Sequence, residues 1–246
     1  MGKEIKNYWD KRSNSYSDMI KEELNSFKRE VWMNLIREKL EGKYDIKALD
    51  VGAGPGFLSI IMDKMGYDVT ALDLSDQMIK EAKENAKNAG CDIRFINNDI
   101  ALLNSNEKFD LIVSRNVTWT LEEPESVYKT WYNLLNNNGV LIIFDANWYL
   151  RLSKDELKDE YEHDMEEALK MGYDDGTTKS QCKECENIAK RLPMTYNERP
   201  NWDKKILKEI GFNKIVIDNN ISDRIYTEVE MKAYETTPMF SITAYK

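Results

Sequence analysis

Ile46-Lys47-Ala48-Leu49-Asp50-Val51, followed by Gly52-Ala53-Gly54-Pro55-Gly56, is a short apolar strand running into a glycine-rich turn. Glycines let a backbone take positive φ and approach a ligand closely. A helix from about Phe57 to Lys64 should follow, offering unpaired amides and the positive end of its dipole to the turn. Asp68 to Asp73 reads as a second strand ending in a carboxylate. A carboxylate roughly 20 residues past such a turn can accept hydrogen bonds from both hydroxyls of a ribose. The dinucleotide fingerprint Gly-x-Gly-x-x-Gly needs a glycine where Phe57 stands, so the triplet Gly52, Gly54, Gly56 argues against a nicotinamide cofactor.

The same alternation extends outward. Ser75 can cap a helix running to about Asn88, with Met78, Ile79 and Ala82 facing inward. Ile93 to Ile96, Phe109 to Ser114 and Gly139 to Asp145 read as strands three to five, with a helix from about Glu125 to Leu135 between the last two. Alternating strands and helices with apolar strands predict an α/β fold, a doubly wound, mostly parallel sheet covered on both faces. Ligands of such sheets bind beyond the carboxyl ends of the strands, where Asp50 and Asp73 fall. On the N-terminal side, residues 3–41 read as helical, with Trp32, Leu35, Ile36 and Leu40 at helical spacing and Gly42 as the stop. Residues 1–42 are thus an expected helical cap on a single domain spanning 1–246.

After Asp145 the pattern breaks. Residues 147–200 form a long polar segment with an acidic helix from about Ser153 to Met171. Long insertions at strand ends are often functional, and this one is expected to be a lid over the site; a plain helical elaboration is the other reading. Regular structure resumes with a helix from Trp202 to Ile210, Gly211 as its stop, a strand from Lys214 to Asp218 and a strand-like run from Met239 to Tyr245.

The chain has 246 residues, 41% hydrophobic and 32% charged, with a formal net charge of −9. That composition suits one soluble domain with a real core, and the acidity argues against a broad nucleic-acid surface. No run of about 20 apolar residues exists, so no membrane span is expected. The first residues lack the apolar run of a signal peptide, and three cysteines cannot form a disulfide framework; both suit a cytoplasmic protein. Cys182-Lys183-Glu184-Cys185 has no second pair to complete a structural zinc site, so no metal is expected.

Together these residues resemble the class I S-adenosylmethionine (SAM)-dependent methyltransferases, in the small-molecule, menaquinone-biosynthesis-like branch. Leu49 to Gly56 looks like that family's first motif, and the resemblance implies that the backbone around Asp50, Gly52, Ala53, Gly54 and Gly56 contacts the methionine part of SAM. Asp73-Leu74-Ser75-Asp76-Gln77-Met78 is similar to the second motif, implying Asp73 on the ribose and Leu74 against adenine, with Met78 nearby. Asn98-Asp99-Ile100 resembles the third motif, implying that Asp99 takes the adenine amino group beside Ile100, and Arg115 lies in the fourth. Asn136-Asn137-Asn138-Gly139 departs from the family's Lys-Pro-Gly-Gly at a turn away from the cofactor. Tyr8 to Tyr16 resembles a segment that these enzymes fold over SAM; the aromatic run Tyr8, Trp9 and Tyr16 either faces the sulfonium through cation–π attraction, Tyr8 and Tyr16 first, or simply packs the first helix on the core.

The acceptor implied is a small molecule, with S-adenosylhomocysteine as the product. A regulatory or interaction protein that binds SAM without turnover is the alternative reading. Strand four lacks the Asn/Asp-Pro-Pro-Tyr/Phe motif of adenine- and amide-methylating branches. Methyl transfer needs alignment and water exclusion more than covalent help. Trp119, Asn147, Trp148, Tyr149, Tyr196 and Arg199 are the candidate acceptor residues, Arg199 as a partner for an acceptor carboxylate. His163, the one histidine, lies on the charged helix and reads first as a solvated side chain. As a general base it would have to be turned inward by the lid, and Tyr149 is the other candidate. Oligomeric state is not legible.

Overall fold

The computed structural model describes residues 1–40, 42, 45–99, 101 and 106–246. Seven strands form one sheet: β1 (Lys47–Val51), β2 (Asp68–Asp73), β3 (Arg94–Asn97), β4 (Phe109–Arg115), β5 (Leu135–Asp145), β6 (Lys214–Asp218) and β7 (Phe240–Tyr245). Their order is β3-β2-β1-β4-β5-β7-β6. The first five are parallel, and β7 runs antiparallel between β5 and β6. Strand order reverses between β1 and β4. The turns leaving these two strands therefore flank an open crevice.

The fold is the doubly wound α/β sheet expected from the sequence. Along β5, Val140, Ile142 and Phe144 join one apolar cluster, whereas Leu141 and Ile143 join the other. Each face thus receives alternate side chains, and both are covered. Trp32 and Phe57 cover one face and Tyr128 and Trp131 the other, all at most 3% exposed. Burial of each such side chain contributes about 1.5–3 kcal/mol or more. The first strand pair closes through Gly52 and Ala53, whose amides donate to Leu72 O at 2.8 and 3.0 Å. β5 starts at Leu135, earlier than expected, because a bulge opposite Phe109–Leu111 lets it pair on both sides of the Asn136–Gly139 turn.

The helical N-terminal segment is two helices, α1 (Gly2–Leu24) and α2 (Lys28–Arg37), where one was expected. The Asn25 and Ser26 side chains bond Lys21 O and Glu23 O, satisfying carbonyls locally and breaking the helix. α3 (Phe57–Lys64) leaves the glycine turn, and α4 (Asp76–Ala89) follows β2. Ser75 caps α4 as anticipated: its Oγ accepts from Met78 N at 3.0 Å and donates to Asp10 on α1. Ser75→Ala should therefore lower stability by about 1 kcal/mol or slightly more, read as a lower midpoint in urea. An unchanged midpoint would mean the cap is replaced by solvent.

α5 (Pro124–Leu134) joins β4 to β5. Residues 147–200 carry α6 (Asp155–Lys170) and a second helix that the sequence reading missed, α7 (Lys179–Ala189). Thr178 and Gln181 form a capping box at its start. Cys185, Ile188, Ala189 and Leu192 pack against Ile5, Tyr8 and Trp119, so this segment is seated on α1. α8 (Asn201–Ile210) precedes β6, and the short α9 (Ser222–Ile225) and α10 (Glu228–Ala233) precede β7. No helix of the described residues is long and apolar enough to cross a membrane.

Candidate functional site

The glycine turn needs its glycines for a steric reason as well as a conformational one. Gly52 has φ 68°, and a Cβ there would lie 2.2 Å from Val117 Cγ2. The turn after β1 is thus pressed against the turn after β4. Asp73, at the end of β2, ties the same turn down: Oδ2 accepts from Gly54 N and Oδ1 from Ser75 N, both at 2.8 Å. Burial raises its carboxyl to about 6 despite these amides.

A cavity of about 330 Å³ opens here, lined by α1, the glycine turn and the ends of β2 and β4. Of the expected cofactor residues, Tyr16, Gly52, Gly54, Asp73, Leu74, Met78, Asp99 and Arg115 line it. The Arg115 guanidinium is also held by Glu23 at 2.9 and 3.0 Å and stacks over Trp32 and Phe57. Four expected residues do not reach this cavity. Asp50 is buried behind the turn, where it accepts from Ser59 Oγ at 2.5 Å, and burial raises its carboxyl to about 7. Ala53 packs into the core. Gly56 starts α3 with φ 92° and faces Ala82. Tyr8 is turned away into a neighbouring cavity. Ile100 lies outside the described residues.

That neighbouring cavity, about 240 Å³, shares Trp9, Tyr16 and Asn116 with the first. The aromatic residues Tyr8, Trp119, Trp148, Tyr149, Tyr161 and Tyr234 line it, so three expected acceptor residues, Trp119, Trp148 and Tyr149, are brought together. The others are not. Arg199 is fully enclosed: it pairs with Asp145 at 3.0 Å and Asp203 at 2.8 Å, and donates to Thr118 Oγ1 at 2.6 Å. It is an internal strut with no room for an acceptor carboxylate. Asn147 spends its side chain on the Arg199 backbone, at 2.9 and 3.0 Å. Tyr196 is 60% exposed and donates to Lys190 O. His163 is exposed on α6 and lines neither cavity. The Tyr149 hydroxyl donates to Cys185 Sγ at 2.9 Å, and burial pushes its pKa well up, which disfavours a role as general base.

The residue that sequence reasoning most undervalued is Asn116. It holds φ 58° right after β4, and its buried Oδ1 has no hydrogen-bond partner. Asparagine takes the left-handed region more readily than most residues, and here it turns the chain at the end of β4 where both cavities meet its side. The sequence offers Asn116 only as the neighbour of Arg115 in the fourth motif. The Trp9 ring lies 5.7 Å from that of Tyr16, and both line the two cavities.

The sheet order, the antiparallel β7 and the glycine turn facing a carboxylate place the chain in the Rossmann-like methyltransferase class. Magnesium protoporphyrin IX methyltransferase from Synechocystis, solved with S-adenosylhomocysteine, has the same fold: TM-score 0.55 at 19% identity, over 94% of this chain and 84% of that one. A family model described as a methyltransferase domain matches residues 43–220, and the chain belongs to that family. Ubiquinone biosynthesis O-methyltransferase of Actinobacillus pleuropneumoniae is 30% identical over 48% of this chain and 53% of its own length. The chain thus spans about half the length of these relatives. Glycine/sarcosine N-methyltransferase of Aphanothece halophytica is 28% identical over 76% of this chain and 78% of its own length.

Proposed function

We propose that this chain transfers a methyl group from SAM to a small-molecule acceptor. The observation that carries the reading is the pair of adjacent cavities, one walled by the glycine turn and Asp73, the other by aromatic side chains, with Trp9, Tyr16 and Asn116 common to both. The residues of the first cavity fit SAM. The Asp73 carboxylate suits ribose hydroxyls, Leu74 and Met78 offer apolar contact for a base, and Asp99 suits an exocyclic amine. When bound, SAM would supply an electrophilic methyl on a sulfonium. The tilted Trp9 and Tyr16 rings, which line both cavities, would attract that positive charge.

The chain's own contribution is then alignment and exclusion of water. Residues 147–200 act as the lid in this reading, since α7 closes the second cavity over α1. Burial raises the phenols of Tyr8, Tyr16 and Tyr149, which disfavours each of them as the base. Incubation with methyl-labelled SAM and a panel of small acceptors tests the function directly. Binding of SAM with no turnover across amine, hydroxyl, thiol and carbon nucleophiles would point to the regulatory alternative. Binding of NAD and not SAM would overturn the cofactor.

The Asp73 carboxyl gives this reading a pH dependence. Ribose hydroxyls donate best to the ionised form, and in the free protein that form gives way to the acid as pH falls through about 6. Affinity for S-adenosylhomocysteine should therefore be full near pH 7.5 and fall several-fold to about tenfold by pH 5. Calorimetry at the two pH values checks it. A flat profile in folded protein removes the carboxylate from the ribose.

A further inference from the structure

Arg12 lies on the face of α1 that walls the second cavity, and it is only 5% exposed. Its Nη1 donates to Gly176 O at 2.9 Å, while its buried Nε has no hydrogen-bond partner. Among the described residues no carboxylate forms an ion pair with it. Two acidic residues share the cavity wall, and neither forms an ion pair with Arg12. Glu186 pairs with Arg151 at 2.8 Å, and Asp175 Oδ1 accepts from Thr177 N at 2.9 Å. Arg151 is therefore already neutralised, and its guanidinium lies over the Tyr161 ring at 4.0 Å. A buried guanidinium without a contacting anion is costly. The cost is offset where a ligand brings the missing anion, and the planar fork suits carboxylate or phosphate.

Position on the helix sharpens this. Trp9, Arg12 and Tyr16 follow one another at helical spacing, so they share a stripe of α1. Trp9 and Tyr16 also line the first cavity, and Arg12 sits about one turn, roughly 5 Å, from each along the axis. Resting on the methyl-transfer reading above, we propose that the acceptor is a small anion whose carboxylate or phosphate is held by Arg12. Its methyl-accepting atom then lies within about a helical turn of that anionic group. A cavity of about 240 Å³ suits a group of about one ring or one amino acid. Arg12 thus takes the part that the sequence reading gave to Arg199.

Calorimetric titrations of the whole chain, with and without S-adenosylhomocysteine, test the proposal with matched probes: benzoate against benzamide, and phenyl phosphate against phenol. At least one anion should bind about tenfold or more tighter than its neutral partner, and the two pairs separate carboxylate from phosphate. Arg12→Gln should abolish that preference and leave S-adenosylhomocysteine affinity unchanged, because Arg12 does not line the first cavity. Arg12→Lys should keep part of it. Equal binding of anion and neutral partner overturns the proposal. So does a preference that survives in an Arg12→Gln variant still able to bind S-adenosylhomocysteine. Should Arg12→Gln fail to fold, the parent protein carries the test. The Arg12 Nε–H resonance must shift with the anion and not with its neutral partner, and an unmoved signal overturns the assignment. If the parent protein discriminates anions through Arg12 but binds no S-adenosylhomocysteine, the anion site stands and the methyl-transfer reading falls.

Discussion

Arg199→Ala should lower the stability of the chain by about 3–5 kcal/mol, the cost of stranding buried charges whose partner has gone. The side chains of Arg199, Asp145 and Asp203 are all at most 1% exposed, so water cannot take over. The Asp145 carboxylate also accepts from Trp148 Nε1 at 2.7 Å and from Trp119 N at 3.2 Å. Losing the strut should loosen two walls of the second cavity as well. Urea denaturation measures the stability loss, which will show as a large drop in midpoint. A change below about 1 kcal/mol would mean that the network is far wetter than it looks. Arg199→Lys should rescue only partly, because a point charge cannot replace the fork that engages Asp203 and Asp145 together.

Asp73→Ala should weaken SAM by at least about tenfold, or about 1.4 kcal/mol. Two effects add. Charged hydrogen bonds to ribose hydroxyls contribute about 1.5–3 kcal/mol each. The Gly54 and Ser75 amides also lose the acceptor that holds the turn in place. Asp73→Asn separates the two, since its amide oxygen can keep one backbone contact while losing the charge; it should fall between the parent and alanine. The fold should survive, because Asp73 sits at a strand end beside a cavity. Unchanged affinity in a folded alanine variant would take Asp73 out of the site.

The order β1 to β5, the glycine turn, the carboxylate at β2 and the Ser75 cap were legible because each rests on neighbours in sequence. Periodicity, a capping residue and three glycines are local signals. What escaped depends on contacts across long separations. Arg199 is four residues from Asp203, which hints at a helical pair, but Asp145 and Thr118 lie 54 and 81 residues away. Nothing at residue 199 announces that they converge there. Asp50 came in through the resemblance to the first motif, yet strand alternation sends its side chain behind the turn, onto Ser59. Tyr8 and Tyr16 looked equivalent in the aromatic run. Eight positions leave them about 80° apart around the helix, so both line the second cavity and only Tyr16 also meets the first. The helices α9 and α10 were missed because four and six residues are too few to show a period.

The partition created by Trp9, Tyr16 and Asn116 also determines which residues can be altered independently. A change at any of these three redraws both compartments at once, so selectivity gained for a new substrate would come entangled with altered nucleotide retention. Trp119, Tyr149 and Tyr161 border the second compartment and not the first. A mutant library confined to those three positions, with the α1 stripe untouched, is the one in which substrate range can be evolved orthogonally to cofactor grip.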